Sequence, residues 1–181
     1  MKKLLKNSTV IIIAIFIVGM VGRHFYMQPN VNDGELAPDF ESTLLNGENF
    51  KLSDLRGNYV LLDFWGSWCG PCIADVPKLK SLYGKYNGAN FKNAKGFEIV
   101  GVAVESNAAR WPKAVERFGL TWPYQILDEA TSLRFFDSKL AKLYGVADLP
   151  AKFLIDSNGN TIGVNQPVEE IAAFLEAELA K

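Results

Sequence analysis

The sequence predicts an α/β domain built on a central mixed β-sheet with helices on both faces. It adds an N-terminal β-hairpin extension and one N-terminal transmembrane segment ahead of the domain. Three observations carry the prediction. An apolar, strand-forming run from Asn58 to Trp65 leads into a stretch where Ile73, Val76, Leu79, Leu82 and Tyr83 recur at helical spacing. A second apolar run, Phe97 to Val104, is followed by a helical segment from Ala108 to Phe118. Last, Pro150 to Asp156 and Asn160 to Val164 flank Ser157-Asn158-Gly159 as a hairpin, and an amphipathic stretch closes the chain.

Residues 1–27 read as a signal anchor. The stretch from Asn7 to Gly22 is uncharged. As a helix its roughly 16 residues span about 24 Å, slightly short of a ~30 Å hydrocarbon core. Phe25, Tyr26 and Met27 lengthen it, with Arg23 and His24 at the interface. Basic residues precede the run, which keeps the N-terminus cytoplasmic and exports the rest of the chain. A small-x-small cleavage site is poorly matched, since Ile17 lies two before Gly19 and Met20 two before Gly22. An uncleaved anchor is therefore favoured over a cleaved signal peptide. No cysteine follows the run, which excludes a lipoprotein anchor. Residues 28–36 read as a flexible tether, and 37–181 as the exported domain.

Within the domain, Asp39 to Leu44 and Asn49 to Leu52 flank Leu45-Asn46-Gly47-Glu48, and Asn-Gly is a strong hairpin signal. Ser53 is placed to cap a short turn that Gly57 ends. Pro77, at the second turn of the helix after Trp65, is expected to kink it. Asn87 to Gly96 reads as an exposed loop. Pro112 is tolerable in the first turns of its helix, which Gly119 closes. Trp122 to Leu127 reads as a short extended segment, Ser138 to Tyr144 as a helix ended by Gly145, and Pro167 to Leu179 as the last helix. No internal repeat is present.

The chain has 181 residues, 49% of them hydrophobic, and a net charge of −1. That suits one globular domain with an appendage and points to no nucleic-acid partner. Lys2, Lys3, Lys6 and Arg23 are the basic residues of the first 33, and Asp33 their one acid. From Gly34 onward 15 basic residues face 19 acidic ones, a mildly acidic body.

The chemistry concentrates in Asp63-Phe-Trp-Gly-Ser-Trp-Cys-Gly-Pro-Cys72, which holds both cysteines of the chain. Cys69 falls at a strand-to-helix junction, near a helix N-terminus. Unpaired N–H groups and the positive end of the helix dipole stabilise a thiolate there. Cys72 lies one turn on, close enough to close a disulfide with Cys69, facing inward as the resolving thiol. A structural zinc site needs about four Cys or His ligands, and the chain offers only His24 beside the pair, so no metal is expected. Covalent haem attachment needs CxxCH, and Ile73 follows the pair instead. A purely structural disulfide closing so short a loop constrains the unfolded chain little. The pair reads as a redox-active disulfide that needs no further cofactor. An acid at Asp63, in the apolar run Val60 to Trp65, is costly to bury ionised, so its pKa is expected to rise towards a general base's range.

From Gly34 on, the chain resembles the thioredoxin superfamily, and within it the membrane-tethered TlpA/ResA/DsbE-like thiol-disulfide oxidoreductases. The resemblance rests on Ala37-Pro-Asp-Phe40, Leu52-Ser-Asp-Leu-Arg-Gly57, Trp68-Cys-Gly-Pro-Cys72, Tyr144-Gly-Val146, Pro150 and Phe153-Leu-Ile-Asp156. It implies a thioredoxin-like fold. It further implies that Pro150 is a cis-proline beside the sulfurs, that Asp63 is the buried acid helping to deprotonate Cys72, and that Asp75 matches an acid of ResA-like members. Leu149 stands where relatives often carry threonine, which implies a more apolar substrate lip. Trp68, next to the nucleophile, reads as part of the docking surface, with Gly70, Pro71, Leu149 and Pro150. Glu105 reads as a solvated acid at a strand end.

The expected reaction is dithiol–disulfide exchange. Cys69 attacks a substrate disulfide, and Cys72, helped by Asp63 or Asp75, resolves the mixed disulfide. Cys-Gly-Pro-Cys is the thioredoxin dipeptide, whose potential of about −270 mV against about −120 mV for DsbA favours a reductant. The resemblance implies protein thiols and disulfides as substrates, a DsbD/CcdA-like membrane electron donor, a location on the outer face of the bacterial cytoplasmic membrane, and for some relatives reduction of apocytochrome c. Two rivals stand beside it. A peroxiredoxin-like thiol peroxidase would carry threonine and proline where Trp65-Gly-Ser-Trp68 stands. A non-enzymatic copper or cytochrome assembly factor would want an extra His or Met cluster.

Overall fold

The computed structural model describes residues 2–26, 30–132 and 137–180, with backbone alone for residues 2–8 and 23–26. Lys2–Tyr26 is one helix, α1. From residue 9 to residue 22 its side chains are exposed. No helix among the described residues is long and apolar enough to cross a membrane, so the fold shows the helix expected of an anchor and not the span. Met27 and the first two residues of the expected tether, 28 and 29, lie outside the described residues. The remainder of that stretch runs along the domain: Asn30 N–H donates to Tyr144 O, Gly34 N–H to Thr161 O and Thr161 N–H to Glu35 O, while Val31 is buried.

Strands β1 (Glu41–Thr43) and β2 (Asn49–Lys51) form the expected antiparallel hairpin. Its turn holds Gly47 at φ 86°, a conformation glycine adopts without cost. The 3-10 turn after it, Leu52–Leu55, starts one residue before Ser53. Ser53 does not cap it through its side chain; its backbone N–H donates to Asp39 Oδ1 at 2.9 Å instead.

The main sheet comprises β3 (Tyr59–Trp65), β4 (Phe97–Glu105), β5 (Tyr124–Glu129), β6 (Ala151–Ile155) and β7 (Thr161–Val164), in the spatial order β5-β4-β3-β6-β7. The first three are mutually parallel, while β6 and β7 are antiparallel to their neighbours, a mixed sheet as expected. Between them run α2 (Gly70–Tyr86), α3 (Arg110–Phe118), α4 (Lys139–Tyr144) and, after β7, α5 (Val168–Glu178). Helix α2 continues through Pro77.

Alternation along β3 sorts its side chains between two layers. Tyr59 meets Phe91 and Phe174, and Trp65 meets Phe118, on the side of α2, α3 and α5. Phe64 meets Tyr144 and Phe153 on the other side, where Phe40 of the hairpin segment also packs on Tyr144. Every residue of β3 is buried, as a strand covered on both faces must be. One short helix is held from a distance. Ser138 makes no side-chain cap for α4; the buried Asp128 of β5 accepts from Ser138 Oγ, Leu140 N–H and Ala141 N–H at 2.6, 3.0 and 2.8 Å.

Candidate active site

Strand β3 ends at Trp65, three residues bridge the gap, and Cys69 is the N-cap of α2. Pro71 is accommodated in the first turn because backbone N–H groups there have no intrahelical partner to lose. Cys69 and Cys72 are joined in a disulfide, their Cα atoms 5.3 Å apart. The Cys72 N–H also donates to Cys69 Sγ at 3.2 Å. That same N–H, with the dipole of a 17-residue helix behind it, is placed to stabilise a Cys69 thiolate once the bond is reduced.

The expected asymmetry between an open and a buried cysteine is absent from this oxidised form. Cys69 is 4% exposed and Cys72 3%. The exposed surface here is instead Gly70, Pro71 and Trp68, which is 40% exposed.

Trp68 is held although it faces solvent. Its Nε1–H donates to Val104 O at 2.9 Å, and the indole lies across Gly66, where a Cβ would come within 2.7 Å of Nε1. Glu105 is not the solvated acid its place at a strand end suggests: it is 1% exposed. Its Oε1 accepts from the Ser67 N–H at 2.6 Å, which ties the loop before Cys69 to the end of β4. The signal in the sequence is an acid that directly follows the apolar run Ile99 to Val104. Only the fold shows that a backbone donor meets it.

Asp63 is buried on β3, and Lys152 stands opposite it on β6. Lys152 Nζ lies 2.8 Å from Asp75 Oδ2 and 3.9 Å from Asp63 Oδ1. Burial pushes the Asp63 carboxyl up to about 6, the Asp75 charge adds to this, and the Lys152 ammonium opposes it. The sequence expectation of a raised carboxyl therefore agrees with its surroundings. Asp75 is half-buried and ion-paired, since Lys78 also approaches it at 3.7 Å. Lys152 carries no sequence signal beyond being a charge inside an apolar strand.

The Leu149–Pro150 peptide bond is cis. Because Phe64 pairs with Ala151, Pro150 falls one residue further on, at the end of β3 that leads to the cysteines. Pro150 is half-buried, whereas the Leu149 side chain joins the core and does not form the apolar substrate lip expected of it. The structure thus brings Asp63, Asp75, Cys69 and Cys72 to one end of the sheet, with Trp68 and Pro71 as its outer surface. Among the described residues no group of three or more His, Cys, Asp or Glu is arranged to hold a metal ion.

Comparison with known proteins agrees with this geometry. Residues 32–179 match the family model described as Redoxin. Thiol-disulfide oxidoreductase ResA from Geobacillus kaustophilus is 34% identical, covering 97% of this chain and 96% of that protein. ResA from Bacillus anthracis is 33% identical, covering 92% of each. Among solved structures, the thioredoxin domain of a thiol-disulfide oxidoreductase from Bacteroides vulgatus superposes with a TM-score of 0.67 at 27% identity, over 82% of this chain and 98% of that one. A protein described as a thiol:disulfide interchange protein DsbE from Chlorobium tepidum gives 0.65 at 30% identity, over 82% and 96%.

Proposed function

The chain belongs to the Redoxin family and is a thiol-disulfide oxidoreductase of the ResA/DsbE kind with a thioredoxin-like fold, and on that premise we propose that it reduces disulfides of exported proteins, apocytochrome c among them. The observation that carries the reading is the Cys69–Cys72 disulfide at the N-terminus of α2, with Cys69 as the cap. Cys69 is the attacking thiol and Cys72 the resolving one. Asp63 and Asp75 supply the acid/base group, and Trp68, Gly70, Pro71 and Pro150 receive the substrate chain. The reductive direction follows from the Gly-Pro dipeptide, shared with a couple of about −270 mV.

A reductant outside the cytoplasm must be recharged from inside, so a DsbD/CcdA-like membrane donor completes the cycle. Residues 1–27 are the anchor, 28–36 the connection and 37–181 the catalytic domain, facing the extracytoplasmic side of a bacterial cytoplasmic membrane. Ten large apolar side chains of α1, from Val10 to Val21, stand exposed. So contiguous an apolar surface calls for a cover, and lipid is the one its basic start suits.

The test is to replace Cys72 by serine in the full chain and isolate covalent partners. Cys72→Ser should accumulate mixed disulfides through Cys69 that dithiothreitol releases, and Cys69→Ser should accumulate none. Equal, empty results from both variants would refute exchange catalysis. A reduction potential near that of DsbA would reverse the proposed direction.

A further inference from the structure

Resting on the exchange reading above, we propose that Arg110, Lys113 and Arg117 of α3 form a docking cleft for an acidic segment that flanks the disulfide of the substrate protein. The three stand at i, i+3 and i+7 of a nine-residue helix, so they share one face and span about 10 Å along its axis. With Ser67, Ala114 and Phe118 they line a cleft of about 220 Å³. Ser67 lies two residues before Cys69. Two residues span at most about 7 Å, so a group held at Ser67 is within that reach of the Cys69 backbone.

Nothing in the helix itself accounts for this charge. Arg110 stands in the first turn, where the helix dipole disfavours a cation, and no acid of that turn offsets it. Lys113 repels the like charges one turn before and after it. All three side chains are exposed. None of them pairs with a carboxylate among the described residues, whereas Lys51, Lys78, Lys85 and Lys152 each do. The Arg117 guanidinium lies 5.4 Å from the centre of the Phe118 ring, a contact that holds it at the cleft without neutralising it. At the far end of α3, Lys80 Nζ reaches Phe118 O at 3.5 Å and brings a fourth cation.

The acids nearby do not cancel this field. Glu116 is the one acid of α3 and lies outside the lining of the cleft. Glu105, behind the loop, is 1% exposed and has an oxygen engaged by the Ser67 N–H. The cleft is thus a positive recess on a body in which, from Gly34 on, 15 basic residues face 19 acidic ones.

A single exposed ion pair contributes little. Three cations on one face act together, and they draw an oppositely charged partner in before contact. An extended chain advances about 3.3 Å per residue. A substrate segment with its cysteine at Cys69 therefore brings residues about two to five positions away over Ser67 and α3, and aspartate or glutamate there fits the cleft. A recess between a loop and one helix admits a carboxylate side chain more closely than it admits the flat surface of a bilayer.

Two synthetic peptides test this against the full chain, reduced beforehand and held in neutral detergent. Both carry the same internal disulfide, and the residues about two to five positions from one cysteine are glutamate in the first and glutamine in the second. At low salt the wild type should reduce the glutamate peptide with kcat/KM about tenfold higher, mostly through KM. The preference should shrink to under about twofold in about 0.5 M NaCl. Arg110→Gln, Lys113→Gln and Arg117→Gln together should bring the ratio to about one. Arg110→Glu, Lys113→Glu and Arg117→Glu together should make a lysine-flanked peptide the better substrate, a gain that damage to the fold cannot produce. Equal kcat/KM for the two peptides in the wild type, or a preference that survives the triple glutamine substitution, would overturn the proposal. If the wild type showed no preference, yet phosphatidylglycerol added to the detergent slowed it and not the triple glutamine variant, the cleft would be a lipid-headgroup site instead. A wild type that reduces neither peptide would sink the exchange reading. The cleft would then be decided by fluorescence anisotropy of a labelled glutamate peptide with its cysteines replaced by alanine. The wild type should bind it about tenfold more tightly than the triple glutamine variant, and equal binding would remove the cleft as well.

Discussion

The backbone N–H of Ser67 donates to Oε1 of Glu105 at 2.6 Å across 38 residues of chain. The contact fixes the loop between β3 and the cysteines from the far side, in a place water hardly reaches. Glu105→Ala leaves the Ser67 N–H without its acceptor and opens a gap under the loop. It should cost about 1–3 kcal/mol in urea unfolding, while Glu105→Gln, which keeps an acceptor oxygen, should cost about half as much. An alanine variant as stable as wild type would show that the loop is held by other means.

Asp63 makes the stability of the oxidised protein depend on pH. Its carboxyl, ordinarily at 3.8, is pushed up to about 6 by burial. Between those values the folded chain binds more protons than the unfolded one, so stability falls as pH rises. The contribution is fully present below about pH 4 and lost as pH passes 6. Asp63→Asn should remove this slope and be more stable than wild type at pH 7, by about 1–3 kcal/mol. Thermal unfolding from pH 4 to 8 reads it directly. Identical slopes in the two proteins would place the buried proton elsewhere.

Gly66 sets the position of Trp68. A methyl group at Gly66 would meet the indole at 2.7 Å, so Gly66→Ala should displace the ring and break its hydrogen bond to Val104 O. If Trp68 is a docking surface, kcat/KM for a protein disulfide should drop roughly fivefold or more. Turnover of a small aromatic disulfide, which needs no extended contact, should change far less. Equal losses for both substrates would mean that the ring serves the cysteines themselves.

Asp128 stands in for the missing cap of α4. A helix of six residues is too short to persist on its own, and its first N–H groups are filled from a strand outside it. Asp128→Ala should destabilise the domain by about 3 kcal/mol, with the midpoint of denaturant unfolding lowered and the slope unchanged. Asp128→Asn should recover part of that loss. A loss under about 0.5 kcal/mol would mean that water replaces the carboxyl there.

Most of the fold was legible in order along the chain. Strands β3, β4, β6 and β7 sit within a residue or so of their apolar runs, and Gly119 and Gly145 end α3 and α4 in the left-handed conformation expected of them. The cysteines were legible for the same reason, since a strand signal, a helix signal and the pair between them are all local. The cap expected at Ser53 is not made, because a serine before a turn is only a candidate acceptor for its N–H groups. Which partner those groups find depends on the residues the fold brings alongside, as Asp39 and Asp128 both show.

What the residues determined unaided is the order of elements and the placement of a dithiol at a helix N-terminus, because hydrophobic periodicity and turn chemistry act over a few residues. What only the tertiary structure decided is the company those sulfurs keep. Lys152 meets Asp75 across 77 positions, and it meets Asp63 because β6 runs antiparallel to β3 in one particular register. Burial then turns ordinary charges into a coupled group, since water no longer screens them from one another.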